Sequence, residues 1–356
     1  MAAKIVHDKE KPKSNMVRNL LLFFVLLTVT LYILFKDENP QTVLRTVLDN
    51  DFRFILAGFL AILLYHFLES VNMRLTLRSM GYRIGPGKAL KFTLMGAFFS
   101  GITPAASGGQ PMEIYYMHKE RIPVGAATIA LLLNLIGYQT ATLSFGILGF
   151  IVNFDRMRAT PALFAFFFLG ITLNLMAFAL LLVGVYSERI SHALVAGFLR
   201  LLRLLHIKKA ESLSAKFERT FSGYRECSRH LKEHPWLVLR VILLAIVQFC
   251  FYYAVAWCAY RALGYSGVSL PKIMTLQALV FAIVSGIPSP GAVGVSEGAF
   301  IAVFGQVYSE SVIKSATLLT RIMNFYFVIL LGAGVVLVSD IRLQKRLAME
   351  RTEENV

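Results

Sequence analysis

The chain has 356 residues, 56% of them hydrophobic, with a mean hydropathy of +0.63 and a formal net charge of +15. An apolar share so far above that of soluble domains excludes a soluble enzyme. The basic excess would suggest a nucleic-acid partner in a soluble protein, but its placement along the chain points to a membrane instead.

Six apolar runs are long enough to read as full bilayer crossings. The first, residues 20–35, has no A-x-A-like cleavage site behind it and is expected to stay as an uncleaved anchor. Residues 41–51 suit a short amphipathic elbow before the second span, 54–71, which carries His66 and Glu69 near its inner end. Glu69 there is either an interfacial partner of Arg74 or a group that meets substrate. Next comes the interrupted stretch 88–121, with "SGITPAASGGQPME" at its centre. The third span, 124–150, leads through a short loop with Arg156 and Arg158 to the fourth, 162–186. The basic loop 187–235 follows. In it Ile190, Leu194, Phe198, Leu201, Leu202 and Leu205 share a helical face suited to the inner leaflet or to the underside of the spans. The fifth span, 236–260, precedes a second interruption in 271–310, "SGIPSPGAVGVSEG", and the sixth, 312–338, contains Arg321. Cys227, Cys250 and Cys258 offer no disulfide framework and read as free thiols.

Placing the N-terminus inside assigns 26 of the 36 Lys and Arg residues to cytoplasmic segments, so both termini are expected in the cytoplasm. Arg156 and Arg158 are the local exception. The basic excess therefore reads as a topology signal and as attraction to anionic lipid heads, and nucleic acid is not an expected partner. In this topology 88–121 enters and leaves from inside, whereas 271–310 enters and leaves from outside. The expected fold is an all-α polytopic membrane protein with about six full transmembrane helices and two re-entrant hairpins in an inverted-topology repeat. The boundaries are a basic N-terminus (1–17), one membrane domain (18–340, halves about 18–152 and 160–340, with the helical loop 187–235 in the second) and a tail (341–356). Inverted repeats with interrupted apolar segments in matching places point to a transport site near the bilayer midplane.

Lipid cannot hydrogen-bond the backbone, so broken helix survives at membrane depth only inside protein or around a wet cavity. Pro104, Pro111, Pro288, Pro290 and Gly291 mark the expected breaks. Half-helices restart near 107–110 and 292–296, and their free N–H groups suit an anion. Gly108, Gly109 and Gln110 in the first stretch, and Gly294, Val295 and Ser296 in the second, are the candidate cradle. Arg321, about ten residues into a span, costs on the order of 3 kcal/mol to bury and needs a carboxylate, a phosphate or water. Glu297 is its natural partner, with Glu113 in the analogous place of the first hairpin and Glu69 a further candidate. Asn134, Gln139, Asn174, Gln248, Gln277 and Asn324 read as helix-packing groups.

The sequence has no P-loop, no HExxH or Cys/His zinc spacing and no GxSxG elbow, and its longest loop is about 50 residues. No cofactor, no metal and no catalytic residue is expected.

The runs "TPAASGGQPMEIYYMHKERI" and "GIPSPGAVGVSEGAF" resemble the two signature stretches of the lysylphosphatidylglycerol synthase transmembrane-domain family, over roughly residues 17–340. Pro104, Gly108, Gly109 and Glu113 match the first; Pro288, Pro290, Gly291, Gly294 and Glu297 match the second. The resemblance implies a prokaryotic cytoplasmic-membrane protein akin to the flippase half of the bifunctional members, without the lysyltransferase half. It implies phospholipids with anionic or lysylated head groups, such as lysyl-phosphatidylglycerol, as partners. A separate lipid synthase and a homo-oligomer are further candidate partners. The competing expectations are an ion-coupled small-solute transporter and a non-transporting membrane subunit that docks a synthase or glycosyltransferase.

Overall fold

The computed structural model describes residues 49–103, 106–186, 232–285 and 294–353, with single positions at 41, 45 and 229. All regular structure among the described residues is helical. The helices in chain order are α1 (Phe52–Ser79), α2 (Pro86–Ile102), α3 (Gly109–Lys119), α4 (Val124–Val152), α5 (Phe154–Ala159) and α6 (Pro161–Tyr186). They continue with α7 (Pro235–Ala262), α8 (Leu270–Val284), α9 (Val295–Phe304), α10 (Ile313–Arg321), a π-helical turn (Ile322–Tyr326) and α11 (Phe327–Glu353). Among the described residues, five candidate spans result: α1, α4, α6, α7 and the run from α10 through the π turn into α11. They overlap the second to sixth expected spans, and four agree within a few residues, whereas α1 runs on to Ser79 where residue 71 was the expected end. The expected span 20–35, most of 41–51 and nearly all of the loop 187–235 lie outside the described residues.

Local chemistry sets several boundaries. The Asp51 carboxylate caps α1 by accepting the Arg53 N–H at 3.0 Å. Pro86 and Pro235 open α2 and α7, where a missing N–H costs nothing. The sixth span departs from expectation. It is not one regular helix but widens into a π turn immediately after Arg321, a distortion that recurs at functional sites.

Two helix pairs, α2–α3 and α8–α9, are short and fold back on themselves. At the open end of the first, Lys88 and Lys91 of α2 meet Glu120, the cap of α3, at 2.8 and 2.9 Å. At the open end of the second, the Tyr265 hydroxyl lies 3.3 Å from Ser309 Oγ. The two open ends sit at opposite ends of the bundle. The long helix α4 starts beside the first, just after Glu120, and finishes beside the second, where Lys272 Nζ donates to Val152 O at 3.3 Å.

Each pair is seated tightly on a span by a small residue. A Cβ on Gly332 of α11 would lie 2.6 Å from Leu94 O of α2, and one on Gly170 of α6 would lie 2.3 Å from Ala282 O of α8. Such close backbone approach is how helices associate where lipid offers no hydrophobic driving force. Asn174 of α6 reinforces the second contact, its Nδ2 donating to Gly170 O at 2.8 Å and to Ser285 Oγ at 3.0 Å. Gln139 Nε2 of α4 donates to Asn174 O at 3.1 Å, so both amides act as helix-packing groups. In the α6 span 22% of residues are buried, against 44% for α4, so α6 is a peripheral helix and α4 a central one. Three buried apolar clusters follow the same plan. One holds the second pair against α4 to α7 and α10, one holds the first pair against α1, α4 and α11, and one joins α1, α4 and α7 between them.

Candidate functional site

The first break runs from Thr103 to Gly108. The Thr103 hydroxyl donates to Phe99 O at 2.6 Å and accepts the Gly108 N–H at 2.9 Å. Ala106 takes a left-handed φ of 54°, a conformation that costs a non-glycine residue about 1–2 kcal/mol. Pro104 lies outside the described residues. Pro111 is not a break. It is the third residue of α3, where the backbone N–H would have no partner within the helix.

Gly108 and Gly109 are engaged in packing within the first pair. The Gly108 N–H is taken by Thr103, and a Cβ on Gly109 would sit 2.0 Å from Ser100 Oγ and 2.8 Å from Gly96 O. These glycines let α3 fold back against α2. Gln110 is half-buried in the first turn of α3 and does not line the cavity described below. Glu113 is buried in a notch of α2: a Cβ on Gly96 would lie 1.5 Å from its Oε1. It makes no contact with Arg321 among the described interactions. Its analogy with Glu297 holds for the sequence pattern alone, because Glu297 is the third residue of its helix and Glu113 the fifth.

At the second break, Gly294 takes a φ of 82° and caps α9, and its N–H donates to Glu297 Oε2 at 2.6 Å. Val295 and Ser296 open the helix. Pro288, Pro290 and Gly291 lie outside the described residues. Glu297 meets Arg321 as expected, with Arg321 Nε 2.8 Å from Glu297 Oε1. The guanidinium also donates to Ser296 Oγ and lies over the Phe325 ring, 4.5 Å from its centroid. The carboxylate thus bridges the positive end of α9 and the arginine, which is 8% exposed.

Glu69 pairs with neither Arg321 nor Arg74. Its Oε2 lies 3.1 Å from His66 Nδ1, and Arg74 Nε donates instead to Ile84 O at 3.0 Å. An i, i+3 spacing puts His66 and Glu69 on one face of α1, whereas Arg74 is drawn to the turn that starts α2.

A cavity of about 430 Å³ joins these parts. Ser100, Gly101 and Ala106 of the first broken pair line it on one side, and Gln277, Ser285 and Ser296 of the second pair on another. Arg321 and Asn324 project from the π-turn region, while Tyr65 and His66 of α1, Tyr138 of α4 and Tyr252 of α7 close the remaining wall. Of the candidate site residues, Arg321 and Ser296 line this space directly and Glu297 stands behind them. The tyrosines and the hydroxyls of Thr317 and Thr320 were not anticipated. Their only sequence signal is a polar tip within an apolar run, which many packed helices share.

A family model described as "Lysylphosphatidylglycerol synthase TM region" matches residues 19–332. A "UPF0104 membrane protein" of Archaeoglobus fulgidus is 26% identical over 309 residues, covering 85% of this chain and 91% of that protein. Among the described residues, five apolar spans and two folded-back pairs make the chain a multi-pass α-helical membrane protein. With the match spanning most of its length, the chain belongs to the lysylphosphatidylglycerol synthase TM region family.

Proposed function

We propose that the protein moves a phospholipid or related amphiphile between leaflets, its anionic head group entering the cavity between the two broken pairs. The observation that carries this reading is convergence. Parts of both broken pairs and Arg321 meet at one polar-lined space. Family membership supports a membrane role, and the opposed open ends of α2–α3 and α8–α9 suit re-entrant hairpins in an inverted repeat, with both termini cytoplasmic. Arg321 is the cation that attracts the phosphate. Glu297 holds its place when no head group is present, bound to the arginine and to the Gly294 N–H. A phosphate that takes over part of the Arg321 contact loosens the tie between α9 and the π turn. Rocking of one half against the other then opens the cavity to alternate leaflets. The chain has no nucleotide motif, so the movement is downhill, ion-coupled or tied to another protein.

Leaflet exchange of fluorescent phosphatidylglycerol in vesicles containing the purified full chain tests this. Exchange above the protein-free rate, lost in Arg321→Ala, is expected. An unchanged rate in the variant, or no exchange by the wild type, refutes it.

A further inference from the structure

We propose, building on the translocation reading above, that His66 and Glu69 form a proton-binding site, and that one proton crosses together with the anionic head group.

His66 lines the same cavity as Arg321 and is 7% exposed. Its Nδ1 lies 3.1 Å from Glu69 Oε2, whereas Nε2 has no hydrogen-bond partner among the described residues and keeps accessible surface. One edge of the ring is thus held by a carboxylate and the other is open to a proton. Imidazole is the side chain whose charge changes between about pH 5 and 8.

The charges around the cavity call for that proton. Arg321 is matched by Glu297, but Glu69 has no cation within ion-pair distance among the described residues apart from His66, because Arg74 is turned to Ile84 O. The other ionisable groups within electrostatic reach of Glu69 are Glu113 of α3, Tyr65 of α1 and Tyr138 of α4, and none brings a positive charge. With His66 neutral, Arg321, Glu297 and Glu69 together carry one negative charge, and an entering phosphate raises this to two. A proton on the His66–Glu69 pair brings it back to one, whether or not Glu297 stays on Arg321.

The two sites are also close. The Tyr65 ring lies 4.9 Å from that of His66 and 5.3 Å from that of Tyr252, and Tyr252 is within electrostatic reach of Arg321. A proton on one side of this wall and an anion on the other attract each other strongly out of bulk water, and each raises the affinity for the other by the same factor. The step is a proton transfer alone. Nε2 takes a proton from water on the side to which the cavity is open, and the new N–H bond breaks toward water on the other side once the phosphate has left.

The experiment places the purified full chain in phosphatidylcholine vesicles with a trace of acyl-labelled phosphatidylglycerol, the membrane potential clamped to zero, and protein-free vesicles as the baseline. The outside is held about one pH unit more acid than the inside, within the range where histidine changes charge. One proton per anion lets this gradient drive at most about a tenfold leaflet ratio, and an accumulation of about threefold or more in the inner leaflet, above the baseline, is expected. Reversing the gradient should reverse it. His66→Gln should abolish the accumulation, and Glu69→Gln should at least halve it, both proteins being monodisperse on chromatography. Exchange by the wild type that ends in an even distribution overturns proton coupling and leaves translocation intact. So does wild-type accumulation in either monodisperse variant. Absence of wild-type exchange with and without the gradient overturns translocation itself, and the coupling with it.

Discussion

Separating Arg321 from Glu297 should destabilise the protein more than their joint removal would suggest. Arg321 is 8% exposed, and its side chain reaches Glu297, Ser296 and the rings of Phe325 and Tyr326. Breaking a buried pair from one side costs about 3–5 kcal/mol, because the other charge is left stranded. Here the Glu297 side chain is 30% exposed and keeps the Gly294 N–H, so Arg321→Met should cost less, about 1–3 kcal/mol. Glu297→Gln strands the more deeply buried member and removes the charge that caps α9, so its cost should be at least as large. In the double variant neither charge is stranded, and a coupling of about 1–2 kcal/mol should appear. Thermal unfolding of the four proteins in one detergent measures the cycle, and leaflet exchange in vesicles separates stability from transport. Additive single effects would refute the view of Glu297 as the counter-ion of Arg321. A stable double variant with full exchange would refute the role of the pair in transport.

Gly96→Ala should lower stability by about 1–2 kcal/mol, because its Cβ would occupy the position of Glu113 Oε1, and adding Glu113→Ala should restore most of the loss. A stabilising Gly96→Ala would show that Glu113 does not occupy the notch. At the open end of the first pair, burial opposes ionisation of Glu120, but hydrogen bonds and charge from Lys88 and Lys91 outweigh it and hold the carboxyl at about 2. A depressed carboxyl contributes stability above its ordinary value near 4.5 and loses it as pH falls toward 2. The stability gap between wild type and Lys88→Ala/Lys91→Ala should therefore shrink between pH 6 and pH 2.5. Lys88 is half exposed, so the gap should stay under about 1 kcal/mol, and a gap that widens with acid contradicts the contact. Single cysteines at Arg83 and Lys119, in a background without native cysteines, should be labelled from one side of the membrane, and those at Ser266 and Ser309 from the other. Labelling of all four from the same side would remove the opposed hairpins.

The properties that could be read from the sequence are those that depend on neighbours along the chain. Spans are recognised by apolar length, and α4, α6 and α7 lie within a few residues of their expected limits, whereas α1 continues to Ser79 and α11 to Glu353, where the helix carries on past the apolar run. Half-helix restarts follow from glycine clusters, and Gly109 and Val295 begin α3 and α9 inside the windows expected for them. The Arg321–Glu297 pair was also legible, because a buried arginine demands an anion and Glu297 stood at a helix start.

Contacts between remote segments were not legible. Glu113 shares its motif position with Glu297, yet Gly96, seventeen residues earlier, provides the notch that takes its carboxylate away from Arg321. Gly108 and Gly109 carry the signature of an anion cradle, but α2 lies so close that Thr103 takes the Gly108 N–H and Ser100 crowds the Cα of Gly109. The π turn after Arg321 and the assembly of Tyr65, Tyr138, Tyr252 and Gln277 around one cavity depend on how four separate helices cross. Hydropathy and helix breakers act over a few residues and so determined class, spans and breaks. Which polar groups face the cavity, and which are spent on packing, depends on distances between segments up to hundreds of residues apart, and only the tertiary structure decided it.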